Sequence, residues 1–335
     1  MICSEESRLV RKLGNAVWGN LLELAHDPDT STADAYDYIV HYYSPRNLTH
    51  QSDALYALTG VMKRMSERMR CEFLEGLPKV MFDSFILFIG WDKRARRRRG
   101  GFPSWSWVGW IGGVTWQQHD VIWDTENISD LPTISQWLSE KTWIVWYSRD
   151  SSGKLSEVWD EQASNAFLSG AKDEDLGYRA RKPFCLPTAP QDLENREAYR
   201  LRGYTLLQFW SVSARFGISE PFIHSDWISV NLYDREQNFC GWIPLDTADD
   251  VDSSVPQEII VLSESRYALP SSTFPEHLKK EAKAKGSQDP WSLYWVMLIV
   301  IVDGVAERRG LGQIYQKSLV GSVGPGPHWK EIILG

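Results

Sequence analysis

Six basic residues fall within seven positions, Lys93-Arg94-Ala95-Arg96-Arg97-Arg98-Arg99, a few residues before a tryptophan-rich stretch. A run of this kind can act as a nuclear-import signal, an anion-binding patch or a solvated loop. No aromatic residue interleaves with the charges, as a nucleic-acid groove would require, so the run is expected to lie in water. The seven histidines, at 26, 41, 50, 119, 224, 277 and 328, are scattered, and none has metal-ligand spacing to a second His or to a Cys. Thr247-Ala248-Asp249-Asp250-Val251-Asp252 is acidic, but it lacks the alternating ligands and the glycine of a calcium loop and reads as a wet turn. Glu220, Asp226 and Glu258 are available carboxylates, although a glycosidase pair would come from distant parts of the chain and cannot be read from spacing. Gly310-Leu311-Gly312 lies inside an expected hairpin and reads as a bulge rather than a phosphate cradle. There is no P-loop, dinucleotide-binding glycine loop, zinc-protease helix or serine elbow. No catalytic constellation, cofactor or metal is expected, and the chain reads as a non-enzyme.

Composition narrows the classes further. The chain has 335 residues, 43% apolar and 24% charged, enough for two domains with a sizeable core. A net charge of -8 argues against general nucleic-acid affinity. Cysteines at 3, 71, 185 and 240 show no Cys-x-x-Cys spacing, which fits thiols in a reducing, cytoplasmic setting, with a nuclear alternative through Lys93 to Arg99. The longest apolar run, 294–302, is too short to span a bilayer as a helix, and the first residues do not form a signal peptide, so the sequons at Asn47 and Asn127 carry no weight. Trp is the outlier, with 17 residues. Flat rings stack on sugars, so a carbohydrate-binding module or glycosidase is the alternative to a ring-filled core.

Three of those tryptophans sit in Phe102-Pro103-Ser104-Trp105-Ser106-Trp107-Val108-Gly109-Trp110-Ile111-Gly112-Gly113. In an extended chain Trp105 and Trp107 share one face, with Ser104 and Ser106 on the other. Gly109, Gly112 and Gly113 suit a bend or a close backbone approach. The stretch reads as a packed junction.

The elements around it change character there. Before it, helical spacing covers 5–27, 36–43 (Tyr36, Ile39, Val40, Tyr43, stopped by Pro45) and 52–70, where Ser52 or Asp53 can cap a stripe of Ala54, Leu55, Leu58, Val61, Met62, Met65 and Met69. Gly76-Leu77-Pro78 leads into 80–91, a helix apolar nearly all round and therefore buried. After residue 100, strands are expected at 142–147, 204–212, 227–233, 239–245, 258–262, 291–302, 305–315 and 329–334, with a tight turn at Asp303-Gly304. A polar excursion fills 149–200, and 275–285 is the one later helical candidate. The fold class is α+β: a helical region, 1–92, followed by a mainly antiparallel β domain, 93–335, built as a sandwich or open barrel.

Several pieces, in order, resemble fungal heterokaryon-incompatibility (HET) domain proteins. The Trp stretch is similar to the family's "PSWSWAGW-x-G", placing Trp105, Trp107, Gly109 and Trp110 in the motif. The segment from Tyr43 through Arg46 and Asp53 to Val61 is similar to "YS-x-R-x-LT…D-x-L-x-A-x-x-GI", and Gly76 to Pro78 matches "GLP". Glu307, Arg308, Gly310 and Gly312, then Pro325 to Gly335 with Trp329, resemble the family's usual ending. The family's opening motifs, "Y-x-ALSY-x-WG" and "W-x-DA-x-CI-x-Q", are not found, so the chain resembles the region after the HET domain, as a shortened member. The resemblance implies a regulatory or partner-binding role in fungal non-self recognition and cell death, with a protein partner or a HET domain bound; the net charge and the short apolar run add the expectation of no membrane and no nucleic acid. The HET domain, related to toll/interleukin-receptor folds, would hold any NAD-breaking chemistry, and none of its active residues map onto this chain.

Overall fold

The computed structural model describes residues 25, 32–90, 96–116, 134–159, 202–224, 227–249, 251–266 and 291–335. The expected helices at 5–27 (Ala25 apart) and 275–285, residues 93–95, most of the polar excursion, and Asp226 lie outside the described residues.

Helix α1, Thr32–Tyr43, buries Tyr36, Ile39, Val40 and Tyr43, the face its spacing marks out. The expected single helix over 52–70 is broken. Gln51–Asp53 and Tyr56–Leu58 wind as 3-10 turns, and only Thr59–Met69 is α-helical (α2), burying Val61, Met65 and Met69. The cause is local. Tyr43 Oη donates to Ala54 O at 2.7 Å, and the Leu58 amide bonds Leu55 O at 3.0 Å instead, an i−3 link. Asp53 is exposed and caps nothing: neither the 3-10 turn that contains it nor α2 has a side-chain cap.

Strands β1 (Phe73–Leu74) and β2 (Leu77–Pro78) form a tight hairpin. Its two turn residues, Glu75 and Gly76, have φ of 47° and 86°, the doubly left-handed turn that matches strand twist. Pro78 then opens a buried 3-10 turn, Lys79–Met81, and the short helix α3, Phe82–Phe85. The segment is buried as its all-round apolarity requires, but it becomes extended at β3, Ile89–Gly90. Two small ladders surround the Trp stretch. β3 pairs with β6 (Val114–Thr115), and β4 (Arg97–Arg98) pairs with β5 (Trp110–Ile111). A further helix, α4, spans Ile134–Glu140.

The rest is one ten-stranded sheet. Its strands are β7 (Tyr147–Arg149), β8 (Leu155–Glu157), β9 (Leu206–Ile218), β10 (Phe222–His224), β11 (Trp227–Tyr233), β12 (Phe239–Pro244), β13 (Gln257–Ser265), β14 (Leu293–Val302), β15 (Val305–Tyr315) and β16 (Val323–Leu334). Every pairing is antiparallel except the contact of β15 with β16. The α+β expectation holds, and the sheet closes on itself. The path β11–β12–β15–β14–β13–β9 returns to β11, because β9 bonds β13 along one edge and β11 and β16 along the other. The expected turn at Asp303-Gly304 has φ of 51° and 79° at its two residues. The register of β14 with β15 shifts next to Gly310, where Leu298 faces Gly310 and Ile299 faces Arg308, which is the bulge read from the sequence.

One apolar cluster runs from α1 and α2 through the Trp stretch to Val230, Leu232, Ile243, Val296, Leu298, Ile314 and Leu334. Two glycines let β12 and β15 cross tightly. A Cβ on Gly312 would collide with Trp242 O and lie 2.6 Å from Ile243 Cα, and one on Gly241 would collide with Gln313 O. Gly312→Ala should therefore destabilise the fold by roughly 1–3 kcal/mol through overpacking. Gly60→Ala, in α2 with nothing within 4 Å of a Cβ, should stabilise it by roughly 0.4–1 kcal/mol. Urea melts of the two variants check the opposite signs.

Candidate functional site: an arginine–aromatic junction

Three stretches far apart in the chain meet at one buried place: the basic run, the Trp stretch and the Glu307–Gly312 segment. The Trp stretch is not extended there. Ser106 accepts from the Val108 amide at 3.2 Å and caps a 3-10 turn, Trp107–Gly109. Consequently Ser104 and Ser106 are as buried as Trp105, Trp107 and Trp110, instead of facing away from them. Gly109 is required by close approach, since a Cβ would collide with Pro103 O and lie 2.7 Å from Arg98 Nη1.

The arginines were expected in water, and the structure overturns this for most of the described run. Arg96 and Arg99 are buried, Arg98 is half-buried, and only Arg97 is exposed. The strand alternates. Arg96 and Arg98 point to the Trp110 side, with their guanidinium carbons 5.4 and 5.2 Å from that ring. Arg98 also donates to Gly109 O at 2.5 Å and Phe102 O at 2.9 Å, which clamps the Trp stretch onto the run. Arg96 lies 5.6 Å from the Phe88 ring, and Arg308, from β15, lies 3.7 Å from it. A row forms in the order Arg98, Trp110, Arg96, Phe88, Arg308.

One carboxylate anchors the row. Asp246, just past β12, is 2% exposed; it takes the Arg308 Nε at 2.6 Å and Nη2 at 3.4 Å on its two oxygens and an ion pair from Arg96. Arg308 is fully buried and donates two further protons, from Nη1 to Ile86 O at 3.0 Å and from Nη2 to Phe88 O. Burial pushes the Arg308 pKa well down from its ordinary value, but a guanidinium starts high enough to keep its charge. Two cations therefore share one anion, and carbonyl oxygens and ring faces take up the excess positive charge. The main chain reinforces the site: Arg96 N bonds Asp246 O at 3.1 Å, and Asp246 N bonds Arg309 O at 2.7 Å.

Ser104 ties in the end of β16. Its amide donates to Gly335 O at 2.9 Å and its hydroxyl donates to the same oxygen, while Arg308 N donates to Ser104 Oγ at 2.9 Å. Trp110 Nε1 donates to Ser104 O at 2.8 Å. Beside this, Glu307 bridges Arg202 at 2.9 Å and Arg309 at 3.1 Å. On the helical side Trp107 Nε1 reaches Tyr36 Oη at 2.9 Å and Gly76 O at 3.4 Å, Tyr36 Oη donates to Gly76 O, and Ser106 Oγ donates to Glu75 O at 2.5 Å. Burial pushes the Tyr36 phenol far above its ordinary pKa, so it remains a neutral donor.

Of the residues singled out from the sequence, Trp105, Trp107, Gly109, Trp110, Gly76, Glu307 and Arg308 gather at or against this junction. Pro78 is buried in the second strand of the hairpin that carries Gly76, opposite Phe73. Gly310 and Gly312 serve the strand crossing, Asp53 lies on the surface, and Trp329, 41% exposed, lies on β16 opposite Val212. Phe88, Arg96, Ser104 and Asp246 were missed. Arginine inside an apolar strand such as β15 was the available signal, because a buried charge requires a partner. The three Trp-stretch rings are 0–1% exposed and offer no face to a sugar. Among the described residues, Cys71 and Cys240 are buried thiols, no group of three or more His, Cys, Asp or Glu is placed to hold a metal ion, and no helix is long and apolar enough to cross a membrane. Comparison with protein-family models, with curated proteins and with solved structures gives no match in any of the three.

Proposed function

We propose that the chain is a non-catalytic part of a HET-type heterokaryon-incompatibility protein, with a regulatory or partner-binding role in fungal non-self recognition and cell death. One observation carries this reading. The Trp stretch, the Gly76–Pro78 turn, the Glu307–Gly312 segment and the end of the chain resemble the family piece by piece, and they pack around one junction. Motifs spread along a sequence that meet in space describe one folding unit, which supports treating the separate resemblances as a single one. The junction is built from buried rings and cross-linking hydrogen bonds, as a scaffold would be, and its three Trp-stretch rings are closed to ligand. The partner is a protein, in the first instance a HET domain, and the setting is cytoplasmic.

Incubating the purified chain with NAD is expected to give no turnover above buffer, and a HET domain from a full-length family member is expected to co-elute with it. Steady NAD hydrolysis abolished by a point substitution would overturn the non-catalytic reading. Failure to bind any HET domain tested would remove the proposed partner.

A further inference from the structure

We draw no further inference here: the strongest candidate, the side-chain cluster on one face of β11 where Trp227 Nε1, Ser229 Oγ and Asn231 Oδ1 are sealed from solvent without hydrogen-bond partners beside the Trp242 ring, carries nothing, because nothing among the described residues shows what covers it.

Discussion

Asp246→Ala should cost the fold about 3–5 kcal/mol, the loss expected when one partner of a buried ion pair is removed and its counterpart stays behind. Here two charges would stay behind. Arg96 and Arg308 are 4% and 0% exposed, and Asp246 is the carboxylate both of them hold. Without it, two guanidinium groups repel each other across the Phe88 ring, with only Ile86 O, Phe88 O and aromatic faces to oppose them. The main-chain bonds of Asp246 to Arg96 and Arg309 do not involve its side chain, so the backbone path itself survives the change. Arg308→Met should be milder, because it leaves Arg96 and Asp246 as a one-to-one pair and strands only carbonyls. The ordering is the sharper test, since a mere loss of hydrogen bonds would make the arginine, with four of them, the worse residue to lose. The triple change Arg96→Met, Asp246→Leu, Arg308→Met should recover most of the stability, because desolvation of the ions disappears along with their attraction. Urea denaturation followed by tryptophan fluorescence measures all three. An Asp246→Ala variant within 1 kcal/mol of wild type would mean that the triad is not paired as described.

The sequence made some of this visible and hid the rest, and the division follows the range of the forces involved. Alternation in 227–233 and the Asp303-Gly304 dipeptide are local signals, and β11 and the β14–β15 turn appear where they predict. The packing role of the Trp stretch was legible too, because large rings among glycines leave few other options. The basic run misled because composition reports only the neighbours in sequence. Four arginines in a row look solvated until a carboxylate arrives from the end of β12 and a ring from the segment after α3. Asp246 was hidden in the same way: it stands just before an acidic stretch read as a wet turn, yet both it and Thr247 are buried, at 2% and 5% exposure. The break in the second helix depends on a single phenol reaching across from α1 to Ala54, which no periodicity encodes. Closure of the sheet needs both edges of β9 to be occupied at once, and that is decided by pairings spread over most of the chain.

Trp107→Ala is the second large effect expected, a loss of roughly 3–5 kcal/mol, the usual cost of emptying a fully buried ring site. Trp107 is 1% exposed, and its ring meets Tyr43 edge-on at 6.1 Å. A Cβ on Gly76 would lie 3.2 Å from its Nε1, so the hairpin turn is shaped around the indole. The site cannot collapse to fill the void. The 3-10 turn that carries the residue is capped by Ser106 and clamped by Arg98, and the opposite wall is α1. Trp107→Phe separates cavity from hydrogen bond. It keeps much of the ring but removes the donor to Tyr36 Oη, whose own bond to Gly76 O remains, so the cost should fall to about 1–2 kcal/mol. If the tryptophan acted on a ligand rather than on the fold, both variants would melt like the wild type and lose only binding. Paired melts and partner-binding measurements on the two variants distinguish these outcomes, and unchanged stability in Trp107→Ala would remove the scaffold role assigned to the junction.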